Sequence, residues 1–297
     1  MSKNHLMNIS TKKLKNGFEI PEYGLGTWQM GGRNERDLSN DDKADIEAID
    51  LAIKEGIIHI DTAESYANGH SEELIAQAIK ENNINREDLF IVSKVHGSNQ
   101  GYDGVIKACK RSLERLNTNY LDLYLLHQFP KDFSLEETMK ALVELKDKGF
   151  VKNIGVSNFN VEHLKEAQSY SKYPIVCNQV HYNLKVREAE QGGLLKHCQE
   201  NDVMIVAYRP TEKSKLFETT PKIIEDMCKK YDKTFAQISI NWLISQPNVV
   251  TLAKTRNPEH LKENLGSIGW HMKKEDIEKL RNEFPGQINI SDVVPLG

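Results

Sequence analysis

Eight short apolar runs, rich in valine, isoleucine and leucine, recur along the 297-residue chain, and segments of helical spacing separate them. The runs are Tyr23–Gly26, Ile57–Ile60, Leu89–Ser93, Leu121–Leu126, Asn153–Val156, Val176–Val180, Val203–Ala207 and Val249–Ala253. They mostly lack polar alternation, the pattern of parallel strands covered on both faces. Asp41–Glu55 carries Ile46, Ile49 and Ile53 on one stripe, and Gly56 follows where a helix end favours glycine. Ser134 and Glu137 form a capping box for a helix through Ala141, Leu142 and Leu145, closed by Gly149. Ser71–Asn82, Tyr102–Asn117, Val161–Tyr170, Glu188–Glu200 and Glu259–Leu265 have similar spacing. Pro221–Tyr231 and Thr234–Ser245 both precede the last run, one helix more than the alternation needs. A further helix at Lys274–Glu283 leads into an irregular tail, Phe284–Gly297, and Asn16-Gly17 near the start predicts a β-hairpin.

This alternation, with no Pro/Gly/Ser-rich linker, predicts an α/β fold of the (β/α)8 TIM-barrel class as one domain over residues 1–297. An open doubly wound sheet is the competing architecture. It would need a glycine-rich turn after its first strand, but Gly24 and Gly26 are followed by Thr27-Trp28-Gln29-Met30, so G-x-G-x-x-G is not completed. No apolar run is long enough to span a membrane. Met1–Ser10 is polar and lacks the apolar stretch of a signal peptide, which points to the cytoplasm. The net charge of −4, with both signs interspersed, provides no basic face for nucleic acid. Cys109, Cys177, Cys198 and Cys228 are isolated; they suit neither disulfides in that compartment nor metal-ligand spacing, and are expected as buried or half-buried thiols.

In such a barrel the active site lies at the C-terminal ends of the strands. The polar residues ending the runs are Thr27, Asp61, Lys94, His127, Ser157 with Asn158, Gln179, Tyr208, and Lys254 with Thr255. A lysine enclosed by a barrel mouth needs a partner. Asp61 supplies a counter-charge from the neighbouring run. His127 ends an apolar or aromatic run, Leu123-Tyr124-Leu125-Leu126. Singly, Lys94 could bend out to solvent and His127 could be a satisfied core residue. Together these residues form one constellation.

The surrounding sequence resembles the aldo-keto reductases. The resemblance rests on Gly56-Ile57-Ile58-His59-Ile60-Asp61-Thr62-Ala63-Glu64-Ser65-Tyr66 with Ser71-Glu72-Glu73-Leu74, and on Ile91-Val92-Ser93-Lys94. Leu125-Leu126-His127, Ile154-Gly155-Val156-Ser157-Asn158-Phe159, Asn178-Gln179-Val180 and Ala207-Tyr208 continue it in order. The match runs from Gly24-Leu25-Gly26-Thr27-Trp28 to Glu263-Asn264. It implies a catalytic tetrad of Asp61, Tyr66, Lys94 and His127, and reduction of an aldehyde or ketone to an alcohol by NADPH, reversibly. It further implies that Ser157, Asn158 and Gln179 bind the nicotinamide amide and that Tyr208 stacks on its ring. Gly26, Thr27, Arg209 and Pro210 join the cofactor set. Lys254, Thr255, Arg256 and His260 lie where the family holds the 2′-phosphate, and Glu263 and Asn264 lie near the adenine.

A carbonyl accepting hydride develops charge on oxygen, so a proton donor must stand beside it. Tyr66 is expected to be that acid, with Lys94 lowering its pKa, Asp61 holding Lys94 charged, and His127 orienting the carbonyl. Trp28, His96, Phe129 and the 284–297 tail are expected to wall the substrate pocket, while Trp242 and Trp270 belong to the core. The chain departs from the family at Ala67, a frequent glycine, at Arg209, usually serine, and at Thr211, usually leucine. His260 replaces the arginine that commonly faces the 2′-phosphate, so NADH is expected to be usable, with Arg256 restoring part of the lost contact. The resemblance implies a monomer. A cofactor-sensing regulatory subunit is the rival reading, against which the intact tetrad speaks. A metal-dependent barrel hydrolase is disfavoured because the ten histidines include no H-x-H pair, and no metal is expected.

Overall fold

The computed structural model describes residues 9–212, 216 and 220–297. A hairpin of β1 (Thr11–Lys13) and β2 (Glu19–Pro21) comes first. Its turn is not the two-residue type that Asn-Gly favours. Leu14 and Phe18 bracket three residues, and Gly17 takes a left-handed φ of 93°, the three-residue loop with a glycine bulge. Asp202 accepts from the amides of Lys15 and Asn16, at 2.8 Å each, and pins that loop.

Eight strands then close a parallel barrel: β3 (Tyr23–Gly26), β4 (His59–Asp61), β5 (Phe90–Val95), β6 (Leu123–Leu126), β7 (Ile154–Ser157), β8 (Ile175–His181), β9 (Met204–Tyr208) and β10 (Val249–Ala253). Each pairs with its sequence neighbour, and β10 also pairs with β3 through Thr251 opposite Tyr23. The helices are α1 (Asp42–Lys54), α2 (His70–Glu81), α3 (Tyr102–Arg115), α4 (Leu135–Asp147), α5 (Val161–Ser169), α6 (Glu188–Gln191), α7 (Leu194–Glu200), α8 (Lys222–Tyr231), α9 (Phe235–Ile244), α10 (Pro258–Leu265) and α11 (Lys274–Glu283). The barrel, the hairpin and the added helices before β10 and after α10 follow the sequence reading. One helix does not. The segment 188–200 breaks into α6 and α7 at Gly192-Gly193, where Gly193 has a φ of 72°, a conformation that glycine adopts without steric cost.

The apolar residues form two cores. Inside the barrel, Val92, Leu123, Leu125, Val176, Cys177, Met204, Val206, Val250 and Leu252 pack together, and the hairpin's Leu14, Phe18 and Ile20 plug one end. A larger core lies between strands and helices and includes Trp242. Trp270 is only half-buried, on Tyr231. Lys12 Nζ donates to the carbonyls of Ile244 and Gln246 at 2.5 and 2.6 Å, satisfying orphan acceptors at the end of α9. With one end plugged, the cavity opens at the other rim, where all eight strands deliver their C-terminal residues. Cys109, Cys177 and Cys198 are buried thiols and Cys228 is half-buried.

Candidate active site

The strand-end residues meet at one cavity of about 1100 Å³. Lys94, at the end of β5, has no solvent exposure. Its ammonium donates to Asp61 Oδ1 at 2.5 Å, to the Thr62 carbonyl at 2.7 Å and to the Tyr66 hydroxyl at 3.3 Å. Burial disfavours that charge, but the Asp61 carboxylate and the Tyr66 oxygen outweigh it, and the Lys94 pKa is raised. Asp61 is equally enclosed, and its other oxygen accepts from Gln179 Nε2 at 2.7 Å.

Tyr66 stands on a short 3₁₀ turn, Tyr66–Gly69, that folds back over the mouth. Ala67 and Asn68 in this turn have φ of 50° and 54°, a left-handed conformation that glycine adopts more readily than alanine. The Tyr66 ring lies edge-on to Trp28 at 5.0 Å and to His127 at 5.8 Å. Its pKa is raised, against the sequence expectation. Burial penalises the phenolate more than Lys94 stabilises it. Lys94 still acts in the expected direction. His127 Nδ1 lies 3.4 Å from Ser65 Oγ. Burial, reinforced by the charge of Lys94 and by His96, depresses the His127 pKa to about 3, so the ring is neutral at ordinary pH.

Beside this group, Ser157 Oγ donates to the Gln179 carbonyl at 2.8 Å, and Asn158 Nδ2 donates to Ser157 Oγ at 2.9 Å and to the His127 carbonyl at 3.2 Å. The Tyr208 hydroxyl donates to Asn158 Oδ1 at 2.9 Å. The cavity continues past Arg209, Pro210 and Thr211 to Leu252, Lys254, Thr255, His260, Glu263 and Asn264. There α10 begins, with Asn257 as its cap accepting from the Glu259 amide at 2.8 Å. Basic and hydroxyl groups beside a helix start favour an anion.

Three expectations change. Arg256 does not line the cavity; its guanidinium grips both oxygens of the buried Asp45 in α1 and donates to Asn40 Oδ1 at 2.7 Å. Thr27 is fully buried, its hydroxyl donating to the Asp61 carbonyl at 3.0 Å, so its neighbours Gly26, Trp28 and Gln29 reach the cavity and it does not. Phe129 stacks on His163 at 3.6 Å and packs on Phe159 instead of walling the pocket. Trp28 and His96 do line it, and of the tail only Val293 and Val294 do; Phe284 is buried against Phe235.

Sequence reasoning missed His181 and Glu212. His181, buried at the end of β8, stacks on Tyr208 at 5.4 Å with 12° between the rings. Its Nε2 lies 2.6 Å from Glu212 Oε2. A histidine two residues beyond Gln179 points to the same side of the strand, and that spacing was the available signal.

Among the described residues, no group of three or more His, Cys, Asp or Glu is placed to hold a metal ion. None of their helices is long and apolar enough to cross a membrane.

The family model described as "Aldo/keto reductase family" matches residues 22–282. Glyoxal reductase of Bacillus subtilis (strain 168) is 34% identical over 270 residues, which cover 91% of each chain. Methylglyoxal reductase of Escherichia coli (strain K12) is 32% identical and spans 90% of this chain and 92% of its own. Among solved structures, a thermostable aldo-keto reductase in complex with the inhibitor epalrestat superposes with a TM-score of 0.87 at 44% identity, covering 92% of this chain and 98% of that one. An aldo-keto reductase from Klebsiella pneumoniae in complex with NADPH gives 0.81 at 31%, covering 95% and 97%.

Proposed function

Since the chain belongs to the aldo/keto reductase family, we propose that it reduces the carbonyl of an aldehyde or ketone to an alcohol with NADPH, Tyr66 serving as proton donor. The enzyme is an NADP-dependent oxidoreductase. The observation that carries the finer reading is the contact of a buried, ion-paired Lys94 with the Tyr66 hydroxyl, at the mouth of a cavity that runs on to Lys254.

The residues present fit a dinucleotide. Ser157, Asn158 and Gln179 would meet the carboxamide, which can donate and accept. Tyr208 would stack on the nicotinamide, and Lys254, Thr255 and His260 would hold the phosphate end. When bound, the cofactor supplies the hydride. Tyr66 donates the proton to the carbonyl oxygen as charge develops there, and Lys94 makes the phenolate left behind less unfavourable. Asp61 keeps Lys94 charged and fixed. The neutral His127 ring orients the carbonyl by a hydrogen bond. The bond to the carbonyl carbon and the bond to oxygen form in one reduction, and the reverse oxidation uses the same groups. As part of this reading, the chain works as a single domain, a monomer, in the cytoplasm.

A panel of aldehydes and ketones, followed by loss of NADPH absorbance, tests the activity. Tyr66→Phe should abolish turnover on every active substrate and leave NADPH affinity within a few-fold. A variant keeping a tenth or more of wild-type kcat would remove Tyr66 as the acid. NADPH binding without turnover by the wild type would favour a cofactor-sensing role.

A further inference from the structure

The imidazole of His181 sits behind the cofactor site and joins three separate parts of the chain. Its ring backs Tyr208. Its Nε2 faces Glu212, on the segment just after β9. Its Nδ1 lies 2.8 Å from Ser291 Oγ, in the tail. The proton positions follow from the partners. Burial opposes the Glu212 carboxylate, but His181, Asn183 and Arg209 outweigh it and lower its pKa, so it accepts, and Nε2 carries the proton. Ser291 Oγ already accepts from the amides of Val293 and Val294, at 3.2 and 3.1 Å. Its own proton is therefore available for Nδ1.

Val293 and Val294 are the tail residues that line the cavity. Their backbone is thus held by a serine that is itself held by His181. The tail has other anchors. The amides of Ser291 and Leu296 donate to the two oxygens of Glu188, and the Gly297 amide donates to the Asn158 carbonyl at 2.9 Å. These fix the tail's course; the Ser291 link fixes the turn carrying the two valines.

We propose that His181 is a positioning residue that ties the valine wall of the substrate cavity to the back of the cofactor-stacking Tyr208. Substrate capture then depends on an imidazole that touches neither substrate nor cofactor. The inference rests on the carbonyl-reductase reading, because it takes Tyr208 as the cofactor's stacking partner.

His181→Phe keeps a ring against Tyr208 and removes both hydrogen bonds; Ser291→Ala removes the link to His181 together with the serine's hold on the Val293 and Val294 amides. With 4-nitrobenzaldehyde as probe at saturating NADPH, both variants should raise KM by about two- to thirty-fold and change kcat far less. NADPH affinity, from fluorescence titration without substrate, should stay within a few-fold. The amides of Val293 and Val294 should exchange hydrogen faster in both. The double variant should be no worse in KM than Ser291→Ala, which already breaks the path from the ring to the valines. A melting temperature that falls while KM and tail exchange stay at wild-type values would reduce His181 to a structural role and overturn the proposal. KM losses that multiply in the double variant would also overturn it. Should His181→Phe fail to fold, Ser291→Ala alone decides, by the same KM and exchange readings. Failure of the carbonyl-reductase reading is seen separately, as a wild type that neither binds NADPH nor turns over any carbonyl.

Discussion

At the residue scale, the role proposed for Tyr66 requires it to hold its proton until reduction, and burial keeps that proton bound to higher pH than in free tyrosine. Its acidity is opened by Lys94, the cation 3.3 Å away. Lys94→Met should therefore cost nearly as much kcat as Tyr66→Phe, and the double variant little more, because groups acting as one unit are non-additive. Losses that multiply fully would separate their roles. His127 titrates only near pH 3, so reduction should show no acid limb between about pH 5 and 7, where a free imidazole changes charge. A limb near about pH 6.5 that disappears in His127→Asn would contradict the neutral ring. Asp61, Lys94 and His127 were legible in the sequence because each interrupts an apolar run at its end, whereas Tyr66 lies in the loop beyond Asp61 and was reached through the family resemblance. Glu212 and Ser291 were not legible, because their meaning lies in His181, 31 and 110 residues away. Arg256 was read toward the cofactor for the same reason: its partner Asp45 is 211 residues distant.

At the element scale, Arg256 fastens the loop between β10 and α10 to α1. Asp45, which it grips, also accepts from the Gly31 amide at 2.9 Å and from Asn40 Nδ2 at 2.8 Å, so one carboxylate ties the 29–40 loop as well. Arg256→Ala should loosen this platform and weaken NADPH and NADH by similar factors, leaving the ratio of kcat/KM for the two cofactors nearly unchanged. Lys254→Met should instead narrow the ratio. A hydrogen bond to a charged group contributes about 1.5–3 kcal/mol, about ten- to a hundred-fold. A ratio that collapses in Arg256→Ala would return the arginine to the phosphate. The helices themselves were largely legible, since their boundaries are set by local caps. Ser134 accepts from the Glu137 amide, one half of the predicted capping box, while the Glu137 carboxylate pairs with Lys140 instead of returning to the cap, and Asn257 with Pro258 starts α10 just ahead of the predicted Glu259. The break at Gly192-Gly193 was missed because the apolar spacing of 188–200 continues across it.

At the scale of the whole molecule, the barrel was legible because strands covered on both faces read as apolar runs, and eight of them separated by helices have few ways to close. The place of the hairpin was not, because it depends on Phe18 and Ile20 meeting barrel residues far along the chain. The same close packing buries His59, at the start of β4, with no exposure. Burial depresses its pKa to about 4, with Asp61 opposing and Lys94 assisting. The unfolded chain, with histidine near about 6.5, binds more protons between these limits, so stability is fully present above about pH 6.5 and is lost as pH falls toward 4. His127, depressed to about 3, adds to the same slope. Each such histidine contributes about 1.4 kcal/mol per pH unit inside the window. Denaturant unfolding followed from about pH 7.5 to 5 should show the wild type losing stability steeply below about pH 6.5. His59→Phe, which keeps an aromatic ring beside Phe90, should lose roughly 1.4 kcal/mol less per pH unit, whatever its stability at the upper end. Parallel slopes for the two proteins would mean that His59 does not titrate on unfolding and that the acid sensitivity arises elsewhere.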